Sequence, residues 1–533
     1  MRPRILLSSV FKPFGVDNMY SRKGSKIELF HNQITQFQGV FSLRSHMYSY
    51  GLHAIANNID APTTVLEFPS FERFRTEIKK GYDIVGIGAY MPNFQKVKRM
   101  VEETRKLSPR STIVLGGFCA AVPDLEKMMD VDYVCIGDGV TFMRDLLGMS
   151  KDFTFRDAEM YGEAREMLGV PVFGLRKYPY IVVGLGCSYG CDFCCPSHFF
   201  GRKHIKFFTG GREIFETMVR IERKYRSNLI CLIGDDNFLL DLKRAEELRK
   251  CVADSGKVFN MLVFGSSDQA VEFGPEKLAE MGAGTLWIGR ESMFGGYRKN
   301  ADMNIKGLVA ELKRYGIKTI LSSILLLDQH TKENIVTDID DHLACKPTMS
   351  QFAHLAPVPG TPLFDRMRED RRILTAIPFE DWNYFTQPWY THPHFSLTEA
   401  QEVQARAYLR DFHELGPSLL RYLETEYEGW RNLKDSGKPH LRARAAYFAG
   451  EMRKYKVLLL AMEHLAPTEE MRDMVREVRG RVEGSFGRAN ALEQAVARGI
   501  FVAGRFREFR TRHWGDAIQP RTIVKYYNQD RKV

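Results

Sequence analysis

Apolar residues along the first 148 positions come in short blocks separated by longer amphipathic stretches. Residues 5–10, 63–68, 84–90, 112–118 and 131–136 are apolar runs of strand length. Residues 93–107 instead space their apolar side chains at helical intervals. Strands alternating with helices predict a parallel, doubly wound α/β sheet. Such sheets bind ligands beyond the carboxyl ends of their strands. The turns there are rich in glycine: Gly86-Ile87-Gly88, Gly116-Gly117 and Gly137-Asp138-Gly139. Glycine lets a backbone come close to a ligand.

Residues 149–178 mix charges, Gly and Pro without a period, and read as a linker. From residue 179 the alternation resumes. Strand-like runs at 181–185, 229–233, 259–264, 285–288, 319–327 and 351–355 interleave with helical patterns at 213–225, 242–253, 276–281, 305–315 and 333–343. Six such units within 179–380 predict a partial (β/α)6 barrel, with its chemistry at the carboxyl ends of the strands. Beyond residue 380 the strand signals stop. Residues 398–430, 440–465, 468–482 and 487–510 read as helices rich in Ala, Leu, Glu and Arg, a helical C-terminal domain over 381–533. An aromatic junction, Pro388-Trp389-Tyr390-Thr391-His392-Pro393-His394, opens it.

A chain of 533 residues that is 44% apolar and 27% charged has room for two or three cores, which excludes a disordered or collagen-like protein. No run of 18 apolar residues occurs, so no bilayer-spanning helix is expected. The apolar part of Met1-Arg2-Pro3-Arg4-Ile5-Leu6-Leu7 is too short for a secretion signal, and a cytoplasmic location follows as the expectation. Net charge is +10, and residues 471–533 carry 14 Lys and Arg against 7 Asp and Glu. A solvated helical face explains that excess most simply. Anionic lipid, an acidic substrate or nucleic acid are the other partners a basic tail can meet.

Nine cysteines in a reducing compartment make no disulfide framework. Cys119, Cys135, Cys231, Cys251 and Cys345 are scattered singly and read as small buried hydrophobes. Cys187, Cys191, Cys194 and Cys195 instead crowd together directly after a predicted strand. Three thiolates with three and then two residues between them fit one loop around a metal cluster. Structural zinc takes four protein ligands, and electron-transfer clusters take four cysteines. A set of three keeps one iron of a four-iron cluster open to another molecule.

Cys187-x-x-x-Cys191-x-x-Cys194 after a first barrel strand resembles the radical S-adenosylmethionine superfamily. The resemblance implies a [4Fe-4S] cluster on these three cysteines, with S-adenosylmethionine chelating the open iron and cleaved to a 5′-deoxyadenosyl radical. It implies that Phe193 lies by the adenine. Gly234-Asp235-Asp236-Asn237-Phe238 is similar to the segment after the second strand in the subset carrying an N-terminal cobalamin (B12)-binding-type domain. Gly234 and Asp235 are thereby candidates for the methionine amino group. Trp287-Ile288-Gly289-Arg290-Glu291-Ser292 resembles the Gly-x-Glu-Ser of the fourth strand, where Glu291 meets the ribose. Ser323 is a further polar candidate on the fifth strand, and Pro357-Val358-Pro359-Gly360-Thr361-Pro362-Leu363 resembles the turn after the sixth. Asp236 and Asp241 read alternatively as helix N-caps. Cys195 lies outside the pattern, as a buried residue or a thiol beside the cluster.

That subset places its cobalamin-binding-type domain before the barrel, as residues 1–148 stand here. Gly116, Gly117, Gly137 and Gly139 would then line the corrin site. The cobalt-ligating motif Asp-x-His-x-x-Gly is absent. Its loop reads Phe11-Lys12-Pro13-Phe14-Gly15-Val16-Asp17, and His31, His46 and His53 lack the motif's neighbours. The domain therefore either holds cobalamin without a protein histidine or has lost it and serves as scaffold. With cobalamin, the resemblance implies methyl transfer to an unactivated carbon. Without it, it implies radical cyclisation, C–C coupling or rearrangement of a lipid-like or tetrapyrrole-like substrate. The remote alternative is a non-enzymatic metal-binding module that meets RNA. The implied partners are a small-molecule or lipid-like substrate, an external electron donor such as flavodoxin or ferredoxin, and a peripheral membrane contact, with no nucleic acid. No residue is assigned a catalytic role.

Overall fold

The computed structural model describes every residue except 1, 18–20, 26–27, 173–176, 229–232, 301–302, 516–518 and 530–533. One sheet has six strands in the order Ile523–Tyr527, Thr63–Glu67, Ile5–Ser8, Ile84–Gly88, Thr112–Gly116 and Tyr133–Val134. The last five run parallel, as the alternation predicts. Ile5–Ser8 is buried on both faces, which is why it reads as an apolar block rather than an alternation. Helix Phe94–Leu107 buries Phe94, Val97, Met100, Val101 and Thr104 along one stripe. Successive strands lie first on one side of Ile5–Ser8 and then on the other. That switch opens a crevice at the carboxyl ends of Ile5–Ser8 and Ile84–Gly88.

The sixth strand corrects the expectation of an all-helical tail. Ile523–Tyr527 pairs antiparallel with Thr63–Glu67 and covers the edge of the N-terminal sheet. The Tyr527 hydroxyl lies 2.8 Å from Nδ1 of buried His53.

The second sheet holds the barrel. Lys177–Val182, Ile233–Gly234, Met261–Gly265, Ala283–Glu291, Lys318–Leu325 and Met349–His354 are parallel neighbours in chain order and form an open (β/α)6 arrangement. Residues 229–232 of the expected second strand, Cys231 among them, lie outside the described residues. Residues 149–178 are not a plain linker. Met160–Met167 pairs antiparallel with Lys177–Val182, with Val170–Pro171 and with Arg44–Met47. Charge hid these strands. Arg44 and Arg165 meet Glu28 at 2.9 and 3.3 Å, and Glu166 meets Arg507 at 2.8 Å. Internal pairing lets charged side chains occupy a sheet, and the period of two then fails as a signal. Arg44–Met47 also carries part of residues 1–148 into the barrel's sheet.

Five helices follow: Leu397–Leu415, Ser418–Leu433, Pro439–Leu465, Glu469–Phe486 and Ala491–Trp514. Gly416-Pro417 splits the run expected at 398–430, since proline cannot continue a helix interior. The helices close the amino ends of the barrel strands. Arg444 donates to the Ala283 carbonyl at 2.7 Å, and buried Lys318 and Glu426 pair at 2.9 Å. The carboxyl ends are left to face the first sheet. Among the described residues no helix is long and apolar enough to cross a membrane.

Candidate functional site

The strand Gly184–Leu185 leads into the cysteine loop through Gly186 at φ +76°, where a Cβ would lie 2.3 Å from the Lys203 carbonyl oxygen. Only glycine fits that turn. The loop then ties itself down. The Ser197 hydroxyl donates to the Cys187 carbonyl at 2.6 Å, and the Cys194 N–H donates to the Cys191 carbonyl at 3.0 Å. Cys194 leads into the short helix Cys195–Phe199. All four thiols are free and partly exposed. Burial pushes each of them up, Cys194 and Cys195 to about 12, while Lys299 pulls Cys187, Cys191 and Cys194 back down. Lys299 is ion-paired with Glu291. Burial alone would lower its pKa, but Glu291, Cys191 and Cys194 hold it above the ordinary lysine value.

Phe193 stands edge-on to Tyr297, ring centres 5.1 Å apart, and packs against the buried cluster that includes Ile324, Leu327 and Leu363. The Asp192 carbonyl accepts from Leu363 N–H at 3.1 Å, which docks the turn after the sixth strand onto the cysteine loop. Glu291 ends its strand at φ +60°, a conformation non-glycine residues seldom adopt. A Cβ at Gly289 would lie 2.2 Å from Glu291 Oε1. Gly234 ends the short second strand. Asp235 is buried and held by Arg244 at 2.7 Å and His204 at 2.9 Å. Asp236 accepts the Gly186 N–H at 2.5 Å and does not cap a helix. Desolvation pushes its carboxyl up to about 6 although its surface is open, because that surface faces a cavity rather than bulk solvent. Asp241 is the N-cap of Leu242–Ser255, accepting Arg244 N–H at 3.0 Å.

Ser323 is a correction. Its hydroxyl is buried 2.8 Å from His342 Nδ1 and accepts from Arg290 at 3.1 Å, on the outer face toward helix Asn334–Ala344. The period of two turns Ser322 inward instead. Ser322 accepts from Trp287 Nε1 and donates to Gln351, both at 2.7 Å.

Strand ends of both sheets enclose a cavity of ≈ 410 Å³. Gly88, Gly117 and Gly137 come from the first sheet, and Gly184, Asp236 and Phe264 from the second. Among the described residues, no histidine lines it. His31 is 2.8 Å from the Ser42 hydroxyl, and His46 is buried edge-on to Tyr48 with its pKa lowered to about 4 by burial and Arg165. The glycines are only partly what was expected. Gly116 is outside the lining. Gly117 has φ +83°, and its Cβ would lie 2.4 Å from the Ala89 carbonyl oxygen; a Cβ at Gly139 would meet Ile55 at 2.9 Å. Both line the cavity with Gly137, and packing within the domain requires glycine at these two as well. Gly137, at φ +93°, has the Phe199 carbonyl oxygen as its nearest obstacle, at 3.6 Å.

A second chamber of ≈ 320 Å³ adjoins the first, with Tyr90 and Phe118 in both walls. Cys195, Trp382, Tyr384 and Trp389 also line it, and among the described residues no charged side chain does. Trp382 and Trp389 stack 5.3 Å apart at 10°. Burial raises the Tyr384 hydroxyl to about 12, with Cys195, Tyr90 and Cys194 adding to the shift.

Comparison with known proteins bears on both halves. The B12 binding domain family matches residues 39–147. An uncharacterised methyltransferase of Pyrococcus horikoshii is 23% identical over 249 residues, covering 45% of this chain and 51% of that protein. The bacteriochlorophyllide d C-12(1)-methyltransferase of Chlorobaculum tepidum is 23% identical over 222 residues, 40% of this chain and 48% of that one. The chain spans about half the length of these curated relatives. TsrM from Kitasatospora setae, a radical S-adenosylmethionine methyltransferase solved with cobalamin and a [4Fe-4S] cluster bound, matches with a TM-score of 0.54 at 14% identity, over 84% of this chain and 99% of that one. TsrM with tryptophan and an S-adenosylmethionine analogue gives 0.50 at 14% identity, over 96% and 99%. The chain shares the fold of TsrM, and its residues 39–147 match the B12 binding domain family.

The donor groups suit the cofactors of that fold. Among the described residues no three His, Cys, Asp or Glu side chains close around a single ion. Three thiols on one loop suit a cluster instead, where each iron takes its own thiolate. The first cavity suits a large group reached from the strand ends and held without histidine. Lys299, Tyr90, Phe118 and Tyr384 escaped the sequence reading. Lys299 lies in a single 3-10 turn, Arg298–Asn300, too short to leave a pattern in the sequence. Tyr90 and Phe118 are the final residues of predicted apolar runs, where a ring that lines a chamber looks the same as one in the core.

Proposed function

We propose that this protein is a cobalamin-dependent radical S-adenosylmethionine C-methyltransferase acting on an unactivated carbon of a small molecule. The observation that carries this reading is a shared wall. The cysteine loop's helix, through Cys195 and Phe199, and the first sheet's strand ends, through Tyr90 and Phe118, border one pair of adjoining chambers. When bound, the cluster with S-adenosylmethionine supplies a radical, and cobalamin supplies the methyl group.

The chain's own residues do the rest. Cys187, Cys191 and Cys194 hold the cluster, and Lys299 offsets its charge. Glu291 orients the ribose, Phe193 shapes the adenine side, and Gly234 with Asp236 borders the methionine end. Asp235 acts at one remove, fixing the strand end through Arg244 and His204. Gly137 borders the cobalamin cavity. The aromatic chamber takes the substrate and excludes water. Its uncharged lining favours a flat, uncharged portion of the molecule there. The electron comes from an external flavodoxin- or ferredoxin-type donor.

Anaerobic reconstitution with iron, sulfide and hydroxocobalamin tests the reading. The expected result is stoichiometric uptake of both cofactors, base-off Co(II) without nitrogen splitting from a protein histidine, and cleavage of S-adenosylmethionine on reduction. Uptake of the cluster without cobalamin would turn the reading to cobalamin-independent radical cyclisation, C–C coupling or rearrangement. Uptake of neither would overturn it.

A further inference from the structure

The last helix, Ala491–Trp514, is apolar on the side that faces away from the protein. Its inner side is accounted for: Ala497, Gly504 and Arg507 are buried, Ile500 and Phe501 pack on the helical core, and Arg507 pairs with Glu166 at 2.8 Å. Leu492, Val496, Val502, Phe506, Phe509 and Trp514 are 49–73% exposed. At 100° per residue, 492, 496, 502, 506 and 509 fall on one outward strip opposite the buried side. The helix is about 36 Å long, so the strip is extended. Single exposed apolar residues need no explanation, but a contiguous ridge of this kind marks a contact surface.

Charge decides what the ridge meets. Arg498, Arg505 and Arg512 line one edge of it, and Arg510 sits within it near its C-terminal end. Among the described residues Arg505 pairs with Glu508 at 3.0 Å, and no acidic side chain is paired with Arg498, Arg510 or Arg512. Of the helix's two acids, Glu508 is thus engaged, and Glu493 is held by the helix cap at Asn490 and by Lys456 at 3.3 Å. A second copy of this helix would set these arginines against their counterparts. An exposed helix with an apolar ridge, arginines along one edge and a tryptophan at its end is built for a lipid–water interface.

We propose that the outward face of Ala491–Trp514 docks the protein on an anionic lipid bilayer, lying in the headgroup region without crossing it. The proposal is independent of the reaction assigned above. Its test is co-sedimentation of the full-length holoprotein with vesicles of phosphatidylglycerol and phosphatidylcholine, beside vesicles of phosphatidylcholine alone. Partition into the anionic vesicles is expected, weakened by 0.5 M salt. Each of Arg498→Gln, Arg510→Gln and Arg512→Gln should weaken it about fivefold. Phe506→Asp with Phe509→Asp should abolish it while the cluster absorption and melting of the protein stay as in the wild type. Equal partition into neutral vesicles, or binding that survives both sets of substitutions, would overturn the proposal. So would concentration-dependent dimerisation through this face with no vesicle binding, which would assign the ridge to a second copy.

Discussion

Lys299→Met isolates the electrostatic junction between the cysteine loop and the ribose carboxylate. The Glu291 and Lys299 side chains are 8% and 16% exposed, and Lys299 is the cation paired with Glu291. Deleting one partner of a buried pair leaves the other charge uncompensated, at a cost of about 3–5 kcal/mol. Both side chains keep some solvent contact, so the lower end applies, about 3 kcal/mol. Removing both charges costs much less, because no buried ion is left. Lys299→Met with Glu291→Gln should therefore melt above Lys299→Met alone and within about 1 kcal/mol of the wild type.

The pH dependence supplies a second readout. In Lys299→Met the Glu291 carboxylate is a nearly buried charge that has lost its counter-ion. Its protonated form is then the better tolerated one, so stability is retained at low pH and lost as pH rises. The deficit of the single variant against the double should shrink between pH 7.5 and pH 5. Thermal melts of the cluster-free protein at low ionic strength measure this. Coincident melting of the single and double variants at pH 7.5, or a deficit that does not change with pH, would refute the reasoning.

Cys187→Ala, Cys191→Ala and Cys194→Ala should each remove the roughly 400 nm absorption and S-adenosylmethionine cleavage, whereas Cys195→Ala keeps the absorption. Glu291→Gln should weaken S-adenosylmethionine binding about tenfold, the equivalent of ~1.4 kcal/mol, with the cluster absorption intact; unchanged affinity in calorimetry would make Glu291 purely structural. Gly117→Ala should cost about 1–3 kcal/mol with or without cobalamin, because the clash is with the Ala89 backbone; a loss appearing only with cobalamin bound would return Gly117 to the ligand site. Burial lifts Asp157 to about 6, so the wild type should lose roughly 2–3 kcal/mol relative to Asp157→Asn as pH rises from 4 to 7. A difference in melting between those two proteins that stays constant over that range would contradict the assignment.

What the sequence made legible follows from how each feature is encoded. Doubly buried strands such as Ile5–Ser8 are written as apolar blocks, and the three cluster cysteines are written as a spacing. Both are local. Met160–Met167 was not legible, because Glu28 and Arg507 neutralise its charges from 137 and 341 residues away in the chain. Ile523–Tyr527 is a five-residue strand whose partner is Thr63–Glu67, and nothing near it in sequence announces a sheet. Ser323 failed on direction. A strand's polar residues are visible, but which of two adjacent serines faces inward depends on the register that places Trp287 and Gln351 beside Ser322. The glycines at 117 and 139 were legible as necessary but not as to why, since Ala89 and Ile55 make them so.

The chamber itself owes its shape to a segment that belongs to neither sheet. Two parallel sheets each open at the carboxyl ends of their strands, and here those ends face one another. Residues 379–392 cross between them. On the barrel side, the Tyr384 carbonyl accepts from His354 N–H at 2.9 Å, Trp389 Nε1 donates to the Pro357 carbonyl at 3.1 Å, and the Tyr390 hydroxyl donates to the Leu326 carbonyl at 3.0 Å. On the other side, Phe379 lies 4.8 Å from Phe94, and Trp382 and Trp389 join the first sheet's core. Of these residues, Trp382, Tyr384 and Trp389 also form part of the chamber wall. Among the described residues, none of the hydrogen bonds that hold Trp382, Tyr384, Trp389 and Tyr390 runs to the cluster cysteines or the glycine turns. Changes along this segment can therefore reshape the space offered to a substrate while leaving the groups that hold the cofactors in place, and the proposed function puts substrate selection there.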